Sequence, residues 1–367
     1  MQGKWGKARN RESVLANTRG ALETIAAQDA DFLLLQEVDV KADRSHQVDQ
    51  SAMLKDGLPG YGAVFACNFH TRYLLYPFHD PHGAVNAGLL TLSRCRIDEA
   101  FATMPDGFEV PLRVFTPLDF DFSLAEGLKV SEDSRGTVLF FHGGGWVLGG
   151  IGSCARFCAE LAAAGHVLVL AADYRLAPEH PFPQGLDDCM RAVETALRRA
   201  SEWGGSPERV SVGGDSSGGN LALAVALRRR AEGLPPLRSL VLFYPVVTAR
   251  ADGSASWKRY GQGAALDGTL METFSLAYAS GREEFPLVSP AAASDAELAG
   301  LPPLLLVAAG RDILRDQGEA FAERLLRLGV AVRREELAGA VHLFVTVPGQ
   351  ERAFRRAVAL AREFLAG

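Results

Sequence analysis

Residues 209–230 read RVSVGGDSSGGNLALAVALRRR, and this stretch decides the fold. It begins with a short apolar run, passes through a cluster of glycines and serines, and continues into a run typical of a helix. A strand that leads through a tight turn into a helix is the repeating unit of a parallel α/β sheet. The stretch therefore predicts a doubly wound, mostly parallel α/β domain.

The same alternation continues on both sides of this stretch. Short runs rich in Val, Leu and Phe predict buried strands at residues 137–141, 166–171, 209–212, 238–244 and 304–308. Longer amphipathic runs predict helices at residues 153–164, 185–202, 220–232 and 318–328. Two further strands within residues 101–117, on either side of a turn at 105–107, are expected at an antiparallel edge of the sheet.

The glycine and serine cluster is Gly214-Asp215-Ser216-Ser217-Gly218, a GxSxG pattern between the predicted strand and helix. A serine on such a tight turn needs small neighbours, which the two glycines provide. Ser216 is the candidate nucleophile because it lies centrally between the glycines, and Ser217 is expected to contribute only its backbone. The alternatives are a connecting turn without chemistry and a phosphate-binding loop, although the lysine of a P-loop is missing.

A second glycine cluster, HGGGW at residues 142–146, follows another predicted strand. Glycines allow several backbone N–H groups to converge on one point without obstruction by side chains. Together with the GxSxG pattern, this cluster predicts an oxyanion hole formed by the amides of Gly143, Gly144 and Ser217. Each amide would stabilise the transition state of acyl transfer by about 3 kcal/mol. Without the GxSxG pattern, the cluster would be an ordinary loop.

A nucleophilic serine needs a base and an acid, and enzymes with a strand-turn-helix GxSxG carry them in the order Ser, Asp or Glu, His. His342 is the only histidine after Ser216, so it is the predicted general base. Asp312, immediately after the strand at 304–308, is the predicted acid. Asp316 is the alternative, although its position favours a role at the start of the next helix.

Three motifs resemble the hormone-sensitive-lipase family of bacterial esterases: HGGGW at 142–146, DYRLAPEHPFP at 173–183 and GDSSGGN at 214–220. The resemblance covers about residues 104–367 and implies an α/β-hydrolase fold. It implies a serine carboxylesterase for short acyl chains, with Ser216, Asp312 and His342 as the catalytic triad and no metal or organic cofactor. The same triad could serve an amidase or a deacetylase. Ser217 and Leu343 depart from the family, which usually has Ala and frequently has Gly there.

The resemblance also assigns a structural role to three residues and leaves the pocket open. Asp173, Tyr174 and Arg175 are implied to buttress the loop behind the oxyanion hole. The acyl pocket is expected to be walled by residues 249–282 and by the amino-terminal segment, because the helices that normally precede this family's catalytic domain are replaced here by a different sequence.

Residues 1–101 predict a smaller α+β domain ahead of the catalytic domain at residues 102–367. Around Gln36-Glu37 and residues 88–94 they resemble part of the endonuclease/exonuclease/phosphatase family. The glutamate that matches Glu37 binds a divalent metal there, but a lone carboxylate is a weak magnesium site. We expect a replacement cap or an assembly surface, and hence a homo-oligomer. A metal-dependent phosphodiesterase or a nonenzymatic binding module is the alternative from another class.

Composition limits the partners and the compartment. The net charge of -6 comes from interspersed acids and bases, so nucleic acid is not an expected partner. No apolar run reaches the roughly 20 residues that span a bilayer, and no signal-peptide pattern is visible, so a cytoplasmic protein without a membrane partner is expected. Five cysteines, an odd number, suit a reducing compartment. A small-molecule ester is the expected partner.

Overall fold

A computed structural model describes residues 8–28, 32–59, 61–74, 83–93, 95–117, 135–263 and 265–367. The chain divides into two compact units, residues 1–96 and 97–367. None of the described helices combines the length and the apolar character needed to cross a bilayer.

The described part of the first unit contains an antiparallel sheet with strand order β1-β3-β2, and two helices. These elements are β1 (Phe32–Asp39), β2 (Gly62–Leu74), β3 (Gly83–Ser93), α1 (Arg11–Ala26) and α2 (Gln50–Gly57). Val38, Leu90 and Leu92 are at the centre of a small apolar core. The pairing of β1 with β3 is irregular between Leu35 and Val38, and there Glu37 has a φ of 53° and an exposed side chain.

The second unit is built on an eight-stranded sheet with the order β11-β10-β9-β8-β6-β7-β5-β4. Its strands are β4 (Cys95–Thr103), β5 (Glu109–Pro117), β6 (Arg135–Phe141), β7 (Leu168–Ala172), β8 (Gly205–Asp215), β9 (Leu240–Phe243), β10 (Leu304–Arg311) and β11 (Val332–Val341). Strands β6 to β11 are parallel, and β5 pairs antiparallel with β7. The doubly wound α/β fold and its antiparallel edge are confirmed. The two units divide between residues 96 and 97, inside β4, and the boundary predicted between residues 101 and 102 lies in the same strand.

Helices connect the parallel strands of this sheet, and the last of them, α10, follows β11. They are α3 (Ile151–Gly165), α4 (Gln184–Arg199), α5 (Ser217–Ala231), α6 (Ala255–Tyr260), α7 (Gly268–Ala279), α8 (Asp295–Leu298), α9 (Arg315–Arg327) and α10 (Glu351–Ala366). The four predicted helices correspond to α3, α4, α5 and α9. Helix α10 was missed, although its buried residues recur at the three- and four-residue spacing of an amphipathic helix: Phe354, Ala357, Val358 and Ala361.

The central strands are apolar on both faces, which is why they could be recognised as strands of a parallel sheet. All of β7 is buried, and so are seven of the eight residues of β10. Phe140 of β6 and Phe243 of β9 both pack on Phe157 of α3, with ring centroids 5.1 and 4.9 Å away. Each such buried aromatic side chain contributes about 1.5–3 kcal/mol. The sheet is therefore a rigid platform for the loops at the carboxyl ends of its strands.

Candidate active site

Ser216 lies at the tight turn between β8 and α5. Its backbone, with φ 54° and ψ −118°, is in a region that residues other than glycine rarely adopt. The neighbouring chain is so close that a Cβ on Gly214 would lie 2.3 Å from the carbonyl carbon of Gly218. The Ser216 N–H donates to the Phe243 carbonyl oxygen at 2.9 Å. The two glycines are therefore required by close packing, as the sequence pattern indicates.

Three predicted side chains form one chain of hydrogen bonds. Nε2 of His342 lies 2.9 Å from Oγ of Ser216, and Nδ1 of His342 lies 2.6 Å from Oδ2 of Asp312. All three side chains are buried. Because Nδ1–H donates to the carboxylate, Nε2 is the acceptor for the serine hydroxyl. This arrangement can remove the serine proton as the oxygen attacks a carbonyl group.

The two candidate acids lie in different surroundings. Asp312 follows the end of β10, where one carboxylate oxygen accepts the Leu314 N–H at 3.1 Å and the other faces His342. Asp316 is in the first turn of α9, where it accepts the Ser256 N–H at 2.7 Å and pairs with Arg315 at 2.7 Å. Asp316 therefore joins the α6 and α9 segments and does not face the histidine.

In the glycine loop that follows β6, one of the predicted N–H donors is hydrogen-bonded to another residue. The Gly143 N–H donates to Oδ1 of Asp215 at 2.8 Å. This amide is therefore already engaged, which corrects its predicted role as a donor to an oxyanion. Gly144 and Gly145 have φ values of 126° and 62°, where a glycine is favoured. Within the described ranges, the N–H groups of Gly144, Gly145 and Ser217 have no protein acceptor.

Asp215 is a fully buried carboxylate that the sequence reasoning did not single out. Besides the Gly143 N–H, it accepts a hydrogen bond from the Tyr244 hydroxyl at 3.4 Å. Burial raises the pKa of Asp215 from 3.8 to about 6, against the opposing effects of the Gly143 N–H and of His342. The only signal in the sequence is an acidic residue inside the GxSxG pattern.

Tyr244 links this carboxylate to the segment that carries the histidine. Its ring centroid lies 4.5 Å from that of His342, and its hydroxyl accepts the Val345 N–H at 3.4 Å. Tyr244 itself has a φ of 35°, a strained conformation for a bulky residue. Asp215 and Tyr244 thus connect the glycine loop to the histidine segment through buried polar groups.

Helix α7 packs against the glycine loop. The Trp146 ring stacks on the Tyr278 ring, with centroids 4.6 Å apart and an angle of 4° between the planes. A Cβ on Gly145 would lie 2.1 Å from the Phe274 ring. Helix α7 belongs to the stretch at 249–282 that was expected to wall the pocket, and its aromatic contacts leave space only for glycine at position 145.

The DYR motif supports the loop from behind. The Tyr174 hydroxyl donates to the His142 carbonyl oxygen at 2.6 Å, and the two rings stack 4.3 Å apart. Arg175 forms an ion pair with the buried Asp188 at 2.6 Å. Asp173 accepts the Ile151 N–H at 3.3 Å. The Tyr174 contact fixes the backbone where the glycine loop begins, and the Asp173 contact fixes the start of α3 beyond the loop.

The described residues contain no group of three or more His, Cys, Asp or Glu side chains that could hold a metal ion. Cys154, Cys158 and Cys189 are buried thiols of the second unit, and Cys67 is an exposed thiol of the first unit.

Comparisons with known proteins agree on one family. Residues 138–346 match a family model described as alpha/beta hydrolase fold. A carboxylesterase of Mycobacterium tuberculosis is 34% identical over 282 residues, which cover 75% of this chain and 84% of the relative. An arylesterase of Saccharolobus solfataricus is 34% identical over 250 residues, 67% of this chain and 76% of the relative. An ethyl acetate hydrolase of Pseudomonas putida is 34% identical over 252 residues, which cover 68% of this chain and 76% of the relative.

Solved structures that resemble this chain include esterases. A carboxyl esterase of the mycorrhizal fungus Tuber melanosporum aligns with a TM-score of 0.66 and 27% identity, and the alignment covers 75% of this chain and 88% of the other. An esterase of the archaeon Pyrobaculum calidifontis aligns with a TM-score of 0.65 and 28% identity, covering 74% and 87%. The residues matched by the family model include Ser216, Asp312 and His342.

Proposed function

This chain belongs to the alpha/beta hydrolase fold family, and from that premise we propose the residues, mechanism and substrates of its reaction. It is a serine carboxylic-ester hydrolase, as its relatives and structural neighbours are carboxylesterases and arylesterases. The observation that carries the proposed mechanism is the continuous hydrogen-bonded chain from Ser216 through His342 to Asp312. We assign these residues as nucleophile, general base and orienting acid.

In the first step, Oγ of Ser216 attacks the ester carbonyl carbon while Nε2 of His342 takes the hydroxyl proton. Asp312 holds the Nδ1–H and stabilises the imidazolium that forms. The tetrahedral intermediate collapses as its C–O bond to the alcohol breaks, and His342 gives its proton to the departing alkoxide. The products of this step are the free alcohol and an acyl-serine ester.

In the second step, His342 takes a proton from water, and the hydroxide oxygen attacks the acyl-serine carbonyl. The intermediate breaks to release the carboxylic acid, and Ser216 regains its proton from His342. In both steps the carbonyl oxygen becomes negative, and we assign the amides of Gly144, Gly145 and Ser217 as its donors. Each contributes about 3 kcal/mol of transition-state stabilisation.

Short acyl chains are the proposed substrates. Two observations support this preference: the family resemblance of the motifs, and the relative named ethyl acetate hydrolase. Aromatic packing of α7 on the glycine loop, through Phe274 and Tyr278, also limits the space beside Gly145. The physiological ester belongs to this class of small molecules.

The test is hydrolysis of 4-nitrophenyl esters from acetyl to decanoyl, with and without a metal chelator. Ser216→Ala is expected to abolish hydrolysis, and the exposed Ser201→Ala serves as the matched control that retains it. Activity should be highest on the short esters and resistant to the chelator. Activity that survives in Ser216→Ala would refute the assignment of the nucleophile.

For the amino-terminal unit, we propose a role as a replacement cap or as an assembly element, supported by its resemblance to part of the endonuclease/exonuclease/phosphatase family. A chain that begins at Cys95 keeps β4 and tests the cap. Unchanged chain-length preference in this folded truncation would contradict the cap role. The homo-oligomer is tested by sedimentation of the full chain, where a monomer would contradict it.

The cytoplasm is the proposed compartment. Its support is the odd number of cysteines and the three buried thiols of the second unit. Fractionation of the native host, with the esterase activity followed by the ester assay, tests this proposal.

A further inference from the structure

The side chain of Gln350 contacts the backbone on both sides of His342. Its Oε1 accepts the Val341 N–H at 2.9 Å, and its Nε2–H donates to the His342 carbonyl oxygen at 3.4 Å. We infer that Gln350 is a positioning residue for ester hydrolysis, which holds the peptide groups of the base so that its imidazole points at Ser216. The inference rests on the proposed function, because it takes His342 as the base.

The backbone at this position needs such support. Strand β11 is at the edge of the sheet, and Val341 pairs with Arg311 of β10 on one side only. The register of that pairing is irregular between Ala309 and Arg311. The hydrogen bonding between β10 and β11 is therefore less regular at this end than in the middle of the two strands. The Gln350 side chain adds a hydrogen bond to the Val341 N–H at this end of the strand.

The residue after the base adds strain. Leu343 has a φ of 67°, a left-handed conformation that is strained for a residue with a side chain. A backbone strained in this way relaxes unless the surrounding contacts over-determine it. Gln350 supplies two of those contacts, at the Val341 N–H and at the His342 carbonyl oxygen.

Gln350 is itself attached to a fixed element. It directly precedes α10, which buries Phe354 against Phe157 of α3 at a centroid distance of 6.2 Å. Glu351, the first residue of the helix, accepts a bidentate pair of hydrogen bonds from Arg156 of α3, each 2.8 Å long. The Gln350 side-chain amide therefore links the packed helix α10 to the backbone around His342.

Two variants of Gln350 separate positioning from general stability. Gln350→Leu removes both hydrogen bonds, and we expect kcat to fall about tenfold because a misdirected base loses its near-attack geometry. KM should stay within about twofold, since the glutamine is assigned no contact with substrate. Gln350→Glu keeps an acceptor for Val341 and adds a negative charge near the imidazolium. We expect it to retain more of kcat and to move the acid limb of the kcat/KM profile to higher pH.

The matched control is Arg352→Ala, an exposed residue on the same helix, which is expected to leave kcat unchanged. A kcat of folded Gln350→Leu within about twofold of the unmodified enzyme would overturn the inference. If that variant does not fold, Gln350→Ser, which also removes both hydrogen bonds, is judged by the same kcat criterion. Ser216→Ala is measured in parallel. If Ser216→Ala still hydrolyses esters, the proposed function is wrong. If Ser216→Ala is inactive while Gln350→Leu is fully active, only the positioning role is wrong.

Discussion

Replacement of Asp215 by asparagine is expected to stabilise the protein at neutral pH and to slow ester hydrolysis. The carboxylate is completely buried between the Gly143 N–H and the Tyr244 hydroxyl. Asparagine has nearly the same shape and keeps Oδ1 as the acceptor for Gly143, so the glycine loop stays in place. The lost negative charge, which interacts electrostatically with His342, no longer favours the imidazolium of the transition state, and kcat falls.

The size of the stabilisation follows from the pKa of Asp215. Burial raises this pKa from 3.8 to about 6, so the folded protein holds the proton more tightly than the unfolded chain does. Ionisation therefore costs stability above pH 6, and this cost disappears as the pH falls through 6 toward 3.8. At about 1.4 kcal/mol for each pH unit, the cost is about 3 kcal/mol. For a unit of this size, that corresponds to about 6 °C in apparent Tm.

Thermal unfolding of both proteins, followed by tryptophan fluorescence between pH 4 and pH 8, measures this difference. Asp215→Asn should exceed the unmodified protein in apparent Tm at pH 8, and the gain should shrink toward pH 4. Asp106→Asn is the control, because the Phe108 N–H lowers the pKa of this exposed carboxyl and its replacement brings no gain at pH 8. An Asp215→Asn variant without a gain at pH 8, or with an equal gain at both pH values, would refute the reasoning.

Five further substitutions are expected to separate roles within the site. Ser217→Ala should keep kcat within about twofold, because the role assigned to Ser217 belongs to its backbone N–H, which alanine also carries. Gly145→Ala should lower kcat/KM at least about a hundredfold, as its Cβ would overlap an α7 ring, whereas Gly152→Ala has open space and should not. Asp312→Asn should lower kcat by about 10⁴, and Asp316→Asn should mainly lower Tm. Ester kinetics and thermal unfolding of each purified variant check these outcomes.

The strands of the parallel sheet could be predicted because both of their faces are covered. Runs such as residues 304–308 are apolar at every position, which marks a buried strand without reference to its neighbours. The start of β4 could not be placed, since Asp98 and Glu99 interrupt its apolar pattern near one end of the sheet. The short helices α6 and α8 also lack the length that makes a helical period visible.

Within the site, the order of the motifs predicted which side chains meet, but not which amides remain unpaired. Ser216, Asp312 and His342 follow strands whose carboxyl ends share one edge of the sheet, so topology brings them together. The engagement of Gly143 depends on the reach of a buried carboxylate and on local dihedral angles, which no spacing in the sequence reveals. The contact between Gln350 and its neighbouring strand depends equally on where α10 begins.

His342, the general base, directly follows β11, an edge strand of the sheet, and lies 126 residues after Ser216 in the chain. A refolding chain in which β6 to β10 have assembled already places the serine and the acid, yet it hydrolyses nothing until β11 docks. Recovery of ester turnover after dilution from denaturant therefore reports the completion of the sheet. In a protein whose other three tryptophans are replaced, the fluorescence of Trp146, buried against α7, reports the packing of that helix on the glycine loop. The delay between the two signals times the docking of a single edge strand.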